Sequence, residues 1–186
     1  MGEAKILRLL GAGHQVTAYN RAAEKTRKVS AAGAAVAPTP AAAVAGADVA
    51  MSSVTNDEAS RAVWTGPDGI LSGPVKASML LAECSSLSHD WVMELAGIVR
   101  AKGLRYIDCP VTGLPNAAAA GDLILLVGAE QANLDAARPL LAAICKAIHH
   151  FGPVGAGSGY KLMINLMGSV QIAALAEGVA LAQKLG

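Results

Sequence analysis

The sequence predicts an α/β fold, a doubly wound and mostly parallel sheet covered by helices on both faces and followed by one long C-terminal helix. Three observations carry this. Short apolar or alternating stretches recur between helical stretches of about ten to fifteen residues, the pattern of parallel strand–helix–strand units. Hydrophobic residues make up 53% of the chain but aromatics only 3%, so the core is aliphatic, and abundant alanine and glycine suit close packing of helix on sheet. From Ser158 to Gly186 nothing breaks a helix, and at 1.5 Å per residue that segment spans ~40 Å.

The elements follow in order. Glu3 to Leu10 reads as a helix stopped by Gly11-Ala12-Gly13, with glycine as the usual C-terminal stop. Gln15 to Tyr19 alternates as a strand does, and Asn20 is placed to cap a helix from Ala22 to Ala32. Ala34 to Ala37 is a short strand, and Thr39-Pro40 opens a helix with proline at its tolerated first position. Asp48 to Val54 is a strand, Asn56 a cap, and Asp57 to Trp64 a helix. Ser78 to Glu83 is an apolar strand, and Ser88 caps a helix from His89 to Ala101. Leu104 to Asp108, Leu123 to Val127 and Ala147 to Phe151 read as strands, with a helix from Glu130 to Cys145 between the last two. Ala41 to Ala43 and Ala117 to Ala120 are small-residue helix faces without chemistry of their own.

Composition narrows the function. Fifteen basic residues against fourteen acidic ones leave no field for nucleic acid or a membrane surface. Charged or polar residues interrupt each apolar run, so no membrane span is expected. No basic–apolar–small pattern follows Met1, which points to a cytoplasmic protein. Cys84, Cys109 and Cys145 are odd in number and too far apart for a metal ligand set; reduced, buried thiols are expected. His149 and His150 are adjacent on a strand and point to opposite faces, so they cannot chelate together. Asp108 is expected to end its strand and bond the following loop. Ser85 and Ser86 have no base in view, which argues against a nucleophilic serine. Trp64 and Trp91 read as core or interface anchors.

In doubly wound sheets, ligands bind beyond the carboxyl ends of the strands. Those ends carry Asn20-Arg21, Val54-Thr55, Ser85-Ser86, Pro110 to Gly113, and a glycine turn from Gly152 to Gly159. Four glycines in that turn allow close approach to a ligand or to another element. Lys161 and Asn165 follow, four residues apart on one helix face. The nearby helix N-terminus is a positive region expected to lower the pKa of Lys161 and so suit it to proton transfer. Spacing alone is weak evidence, because such pairs are common on solvated helix faces.

Taken together, these residues resemble the β-hydroxyacid dehydrogenases, relatives of 3-hydroxyisobutyrate dehydrogenase and of glyoxylate and succinic semialdehyde reductases. The ordered stretches are Met1-Gly2, Ala12-Gly13-His14, Val16 to Arg21, Glu83 to Ser86, Asp108 to Gly113, Gly121-Asp122-Leu123, and Gly157 through Lys161 to Asn165. The resemblance implies a Rossmann-type dinucleotide-binding domain over residues 1–156 and, over 157–186, the start of a helix leading to an all-helical second domain. It implies Lys161 as the catalytic acid and base, with Asn165, Thr112 and Gly113 holding the substrate. It implies Gly2, Asn20, Arg21, Val54, Thr55 and Ser86 along the cofactor.

An arginine, not an acid, at the end of the second strand of that fold favours NADP(H) over NAD(H), and here Arg21 holds that place, with Lys25 and Arg27 nearby. The implied partners are a small hydroxy acid or semialdehyde substrate and further copies of the chain, as a dimer or tetramer. Neither nucleic acid, membrane nor metal is implied.

Departures are also informative. The family opens with a central strand and Gly-x-Gly-x-x-Gly, of which only Gly2 is present. The sequence is therefore expected to belong to a longer protein, in which the apolar helix after Ser158 is buried on several sides. Leu114 stands where a glycine is usual and is expected to narrow the substrate pocket. Leu166 replaces an asparagine, and Ser86 a threonine. Two other functions are compatible with the sequence: a catalytically silent nucleotide-binding module, and an imine reductase, against which Lys161 argues.

Overall fold

The computed structural model describes all 186 residues. Strands β3 (Val49–Ser52), β4 (Leu80–Glu83) and β5 (Arg105–Asp108) run parallel, with Val49 opposite Leu80 and Leu80 opposite Arg105. Helices α4 (Asp57–Thr65) and α5 (His89–Ala101) lie between them in sequence. Their caps are those the sequence indicates: Asn56 accepts from Ala59 N at 2.9 Å and Ser88 from Trp91 N at 3.2 Å.

The sheet is covered on both faces because its strands alternate. Leu80, Ala82 and Ile107 pack with Leu125, Leu134 and Ile144 on one side. Met79, Leu81 and Tyr106 pack with Trp64, Trp91 and Leu95 on the other. Both tryptophans are thus core residues. Glu83 ends β4 inside this core, 1% exposed, and accepts from Trp64 Nε1 at 2.7 Å, Ser60 Oγ at 2.8 Å and Ser85 N at 2.9 Å. Three donors compensate its burial.

The sheet is mostly parallel, as the sequence pattern suggests, and the structure shows which strand runs the other way. β5 continues into a short β6 (Val111–Thr112), and the chain returns through α6 (Pro115–Ala120) as β7 (Leu123–Gly128). β7 is antiparallel to both β5 and β6, with Asp108 opposite Gly128 and Val111 opposite Leu125. The return from β6 to β7, residues 113–122, is shorter than the dozen or more residues of a parallel crossover, and Gly121, at φ +79°, ends α6 and leads the chain into β7. β8 (Cys145–Gly152) then pairs parallel to β7 after α7 (Gln131–Leu141). Gly128 lies opposite Gly152. β5, β7 and β8 therefore converge on Asp108 from two directions.

The N-terminal part is separate. After α1 (Gly2–Gly11), β1 (Thr17–Ala18) and β2 (Ala35–Val36) form their own two-stranded sheet, and no ladder joins β1 to β3. With one ladder partner each, these strands are shorter than the alternating stretches that predict them. The helix expected over 22–32 divides into a 3-10 segment, Ala23–Thr26, and α2 (Arg27–Ala31).

The last helix, α8 (Ala156–Leu185), meets β7 and β8 with its first turns. Beyond Asn165 its apolar side chains, among them Leu166, Ile172, Leu175 and Leu185, are exposed, so within this chain the helix is not buried on several sides. α8 is also long and apolar enough to cross a membrane by length and composition. This corrects the expectation of interrupted runs: its charges, Lys161, Glu177 and Lys184, lie too far apart to break an 18-residue window.

Candidate active site

The start of α8 is built by a carboxylate and by missing side chains. Asp108 is fully buried. Its Oδ1 accepts from Gly155 N and its Oδ2 from Ser158 N, each at 2.7 Å. Burial raises its pKa above the ordinary carboxylate value, and these backbone donors oppose the rise. The sequence reading gave Asp108 the loop that follows it. Instead it caps a helix 47 residues away, because the antiparallel return brings β8 to its level.

The glycine turn serves this packing. Gly155 precedes the helix at φ +95°. A Cβ on Gly157 would strike the carbonyl oxygen of Leu126 and come within 2.8 Å of Gly128 N. Phe151, on β8, stacks on Tyr160 with ring centroids 4.0 Å apart, clamping the helix one residue before Lys161. Gly157→Ala is therefore expected to push α8 off β7 and destabilise the protein by about 1–3 kcal/mol, as overpacking does. Thermal unfolding checks this; an unchanged Tm would show that the contact has room to yield.

Lys161 and Asn165 leave this anchored start and line a cleft of about 460 Å³ together with Gly2, Val54, Thr55, Ser86 and Gly113. Seven residues singled out from the sequence thus share one cavity. Its remaining lining is Met1, Ser53, Cys84, Ser85 and Val111, so no acidic side chain faces it. The Lys161 pKa is lowered by burial, a different cause from the helix N-terminus the sequence suggested.

Internal bonds shape the walls. Ser85 Oγ accepts from Val54 N at 2.7 Å, which ties two strand-end loops together and uses the hydroxyl. Ser86 remains exposed beside it. The cleft also meets the first residue of α1, where no side chain caps the helix. Unsatisfied N–H groups at such an end favour an anion.

Three predicted residues lie elsewhere. Thr112 is not in the lining although Val111 and Gly113 are, because successive strand residues point to opposite faces. Asn20 and Arg21 are exposed at the end of β1. Asn20 Oδ1 accepts from Ala22 N at 3.0 Å, and Arg21 makes no hydrogen bond or ion pair. Leu114 is 71% exposed and outside the lining, so it does not narrow this cleft.

Other contributors escaped the sequence reading. Lys5 is buried and donates to Ser53 Oγ at 3.1 Å; it shares the inner helix face with Leu9, four residues on, which was its only signal. Glu83 was detectable as an acid closing an otherwise apolar strand. Cys84, in the cleft lining, had no signal beyond its neighbours. A second hollow of about 550 Å³, beside the first turns of α8, is lined mainly by apolar groups such as Met93, Phe151 and Met163, and contains none of the predicted residues.

Known proteins resemble this chain in sequence and fold. The model of the NAD binding domain of 6-phosphogluconate dehydrogenase matches residues 1–152. The chain is 33% identical over 186 residues to 2-(hydroxymethyl)glutarate dehydrogenase of Eubacterium barkeri, covering 100% of this chain and 62% of that protein. It is 30% identical over 186 residues to the cytokine-like nuclear factor N-PAC of Homo sapiens, covering 100% of this chain and 34% of that one. The solved structure of Mycobacterium tuberculosis 3-hydroxyisobutyrate dehydrogenase with L-serine is similar with a TM-score of 0.91 at 33% identity, over 100% of this chain and 62% of the other.

Proposed function

Because the chain belongs to the family of the NAD binding domain of 6-phosphogluconate dehydrogenase, we propose that it serves hydride transfer between NADP(H) and a small β-hydroxy or 2-hydroxy acid. The acid would be interconverted with its semialdehyde or oxo acid. One observation carries this reading: Lys161, with its pKa lowered by burial, faces an acid-free cleft shared with the loops after β3 and β4. Dehydrogenase names among the relatives support the same class.

A nicotinamide held in this cleft would supply the hydride chemistry. Lys161 exchanges a proton with the substrate oxygen. Asn165, on the same helix face, orients that oxygen. The substrate carboxylate lies against Gly113 and the Thr112 backbone, where no fixed negative charge opposes it. Gly2, at the uncapped start of α1, with Val54, Thr55 and Ser86, would hold the dinucleotide. The exposed apolar residues of α8 are assigned to subunit association, in a cytoplasmic dimer or tetramer.

The preference for NADP(H) rests on the exposed and unpaired guanidinium of Arg21, with Asn20 beside it, reaching a 2′-phosphate. Arg21→Ala is expected to raise the KM for NADP(H) about tenfold, equivalent to ~1.4 kcal/mol, while leaving that for NAD(H) unchanged. Equal effects on both cofactors would remove the argument.

The function is tested by mixing the protein with NADP+ or NAD+ and a panel of small hydroxy acids and following reduced nicotinamide. Turnover of at least one acid is expected. A second reading, a silent nucleotide-binding module, is favoured by the relative named as a nuclear factor. Cofactor binding seen in tryptophan fluorescence, without turnover of any substrate in the panel, would establish that reading instead.

A further inference from the structure

We propose that Cys84 and Cys109 form a dithiol in the wall of the cleft that hydrogen peroxide closes to a disulfide, reversibly switching the site off. The pair is set by strand register. Glu83 lies opposite Asp108 on the parallel strands β4 and β5, and one cysteine follows each. The backbone stays paired there, with Cys109 N donating to Glu83 O at 2.7 Å. Adjacent strands lie ~4.8 Å apart, within the Cα separation of about 4.4–6.8 Å that a disulfide spans. Both side chains belong to the core cluster that holds Ala82 and Ile107, so they leave the sheet on the same face.

The two thiols differ in a way that divides the chemistry. Both are buried, but Cys84, 3% exposed, borders the cleft, whereas Cys109 lies fully buried behind it. Interaction with Cys109 and the nearby Lys5 ammonium hold Cys84 below the ordinary thiol value, against the effect of burial. Cys109 is pushed well above that value by Cys84 and by burial. The cleft-side sulfur is thus the attacking one and the inner sulfur the resolving one.

In the first step the Cys84 thiolate attacks one peroxide oxygen. The O–O bond breaks, and a sulfenic acid forms as hydroxide leaves and takes a proton to become water. In the second, the Cys109 sulfur displaces hydroxide from that sulfenic sulfur and gives up its proton. The S–S bond forms and a second water leaves. Two thiols are oxidised by two electrons and one peroxide is reduced to two waters.

Ser85-Ser86 follow Cys84 directly, Val111 to Gly113 follow Cys109 after Pro110, and four of these five residues line the cleft. A covalent tie at their base therefore alters the walls on which cofactor and substrate rest. The disulfide is independent of the proposed hydride transfer; its effect on turnover rests on that reading.

The test uses the Cys145→Ser protein, which removes the half-buried third thiol. After peroxide treatment and alkylation, non-reducing tryptic digestion is expected to show residues 77–100 joined to residues 106–146. Intact mass should fall by about 2 Da, and dithiothreitol should reverse both changes. Oxidised protein should lose cofactor binding and turnover, while a Cys109→Ala version, whose Cys84 stops at the sulfenic or sulfinic acid, should form no linked peptide after the same treatment. Unlinked peptides, whether unmodified or carrying a sulfinic Cys84, would overturn the pair. Linked peptides with undiminished cofactor binding would overturn the switch. Absence of turnover before oxidation would count against the hydride-transfer reading alone, leaving the peptide result to decide the disulfide.

Discussion

Replacing Lys161 with alanine is expected to lower kcat by about 10²–10⁴-fold, the usual contribution of a positioned acid or base. KM for the cofactor should barely move, since Lys161 is assigned to the substrate oxygen. Asp108, Gly157 and the Phe151–Tyr160 stack fix the first turns of α8, so the amine enters the cleft from a held helix. Burial lowers its pKa, bringing it closer to the pH at which it must both give and take a proton.

The sign of the pH dependence follows. In carbonyl reduction the ammonium is the acid, so the rate is highest at low pH and falls as pH rises through the lysine pKa, below the ordinary 10.5. In hydroxy-acid oxidation the neutral amine is the base, and the rate rises through the same range. Steady-state kinetics of wild type and Lys161→Ala across that range are the measurement. Retention of near-wild-type kcat by the alanine protein would remove Lys161 from the chemistry.

Asp108→Ala should have the largest effect on the fold among single changes near the site. It leaves the N–H groups of Gly155 and Ser158 without their acceptor, in positions where both residues are buried. Each orphaned donor costs about 1–3 kcal/mol, so a loss of about 2–6 kcal/mol is expected against a total stability of about 5–15 kcal/mol. The fraction that still folds should also turn over poorly, because α8 carries Lys161 and Asn165 three and seven residues beyond Ser158. Asp108→Asn keeps one acceptor oxygen but turns an amide donor toward the other N–H, so it should lie between wild type and alanine. Denaturant unfolding with parallel kinetics tests both. An alanine variant as stable and active as wild type would mean that the helix start is held by the glycine packing alone.

Local pattern was enough for much of this protein. The cap residues Asn56 and Ser88, the helix over 89–101, and the apolar strand ending at Glu83 are legible because a hydroxyl or amide cap, a helical period and an apolar run are local properties. The pair Lys161 and Asn165 is legible for the same reason, since four residues along a helix return to one face. What local pattern could not supply was direction. Nothing in Leu123 to Val127 distinguishes a parallel from an antiparallel strand; the short return through Gly121 decided that, and with it the approach of β8 to Asp108.

By itself, then, the sequence determined the alternation of strands and helices, the residues at the strand ends, and the helix face bearing the amine. These depend on neighbours a few positions apart. The tertiary structure alone decided that Asp108 caps α8, that Gly157 serves backbone contact, that Thr112 turns away from the cleft, and that two cysteines share a strand register. Each of those depends on which segments pack together, and such contacts leave no periodic trace in the residues that make them.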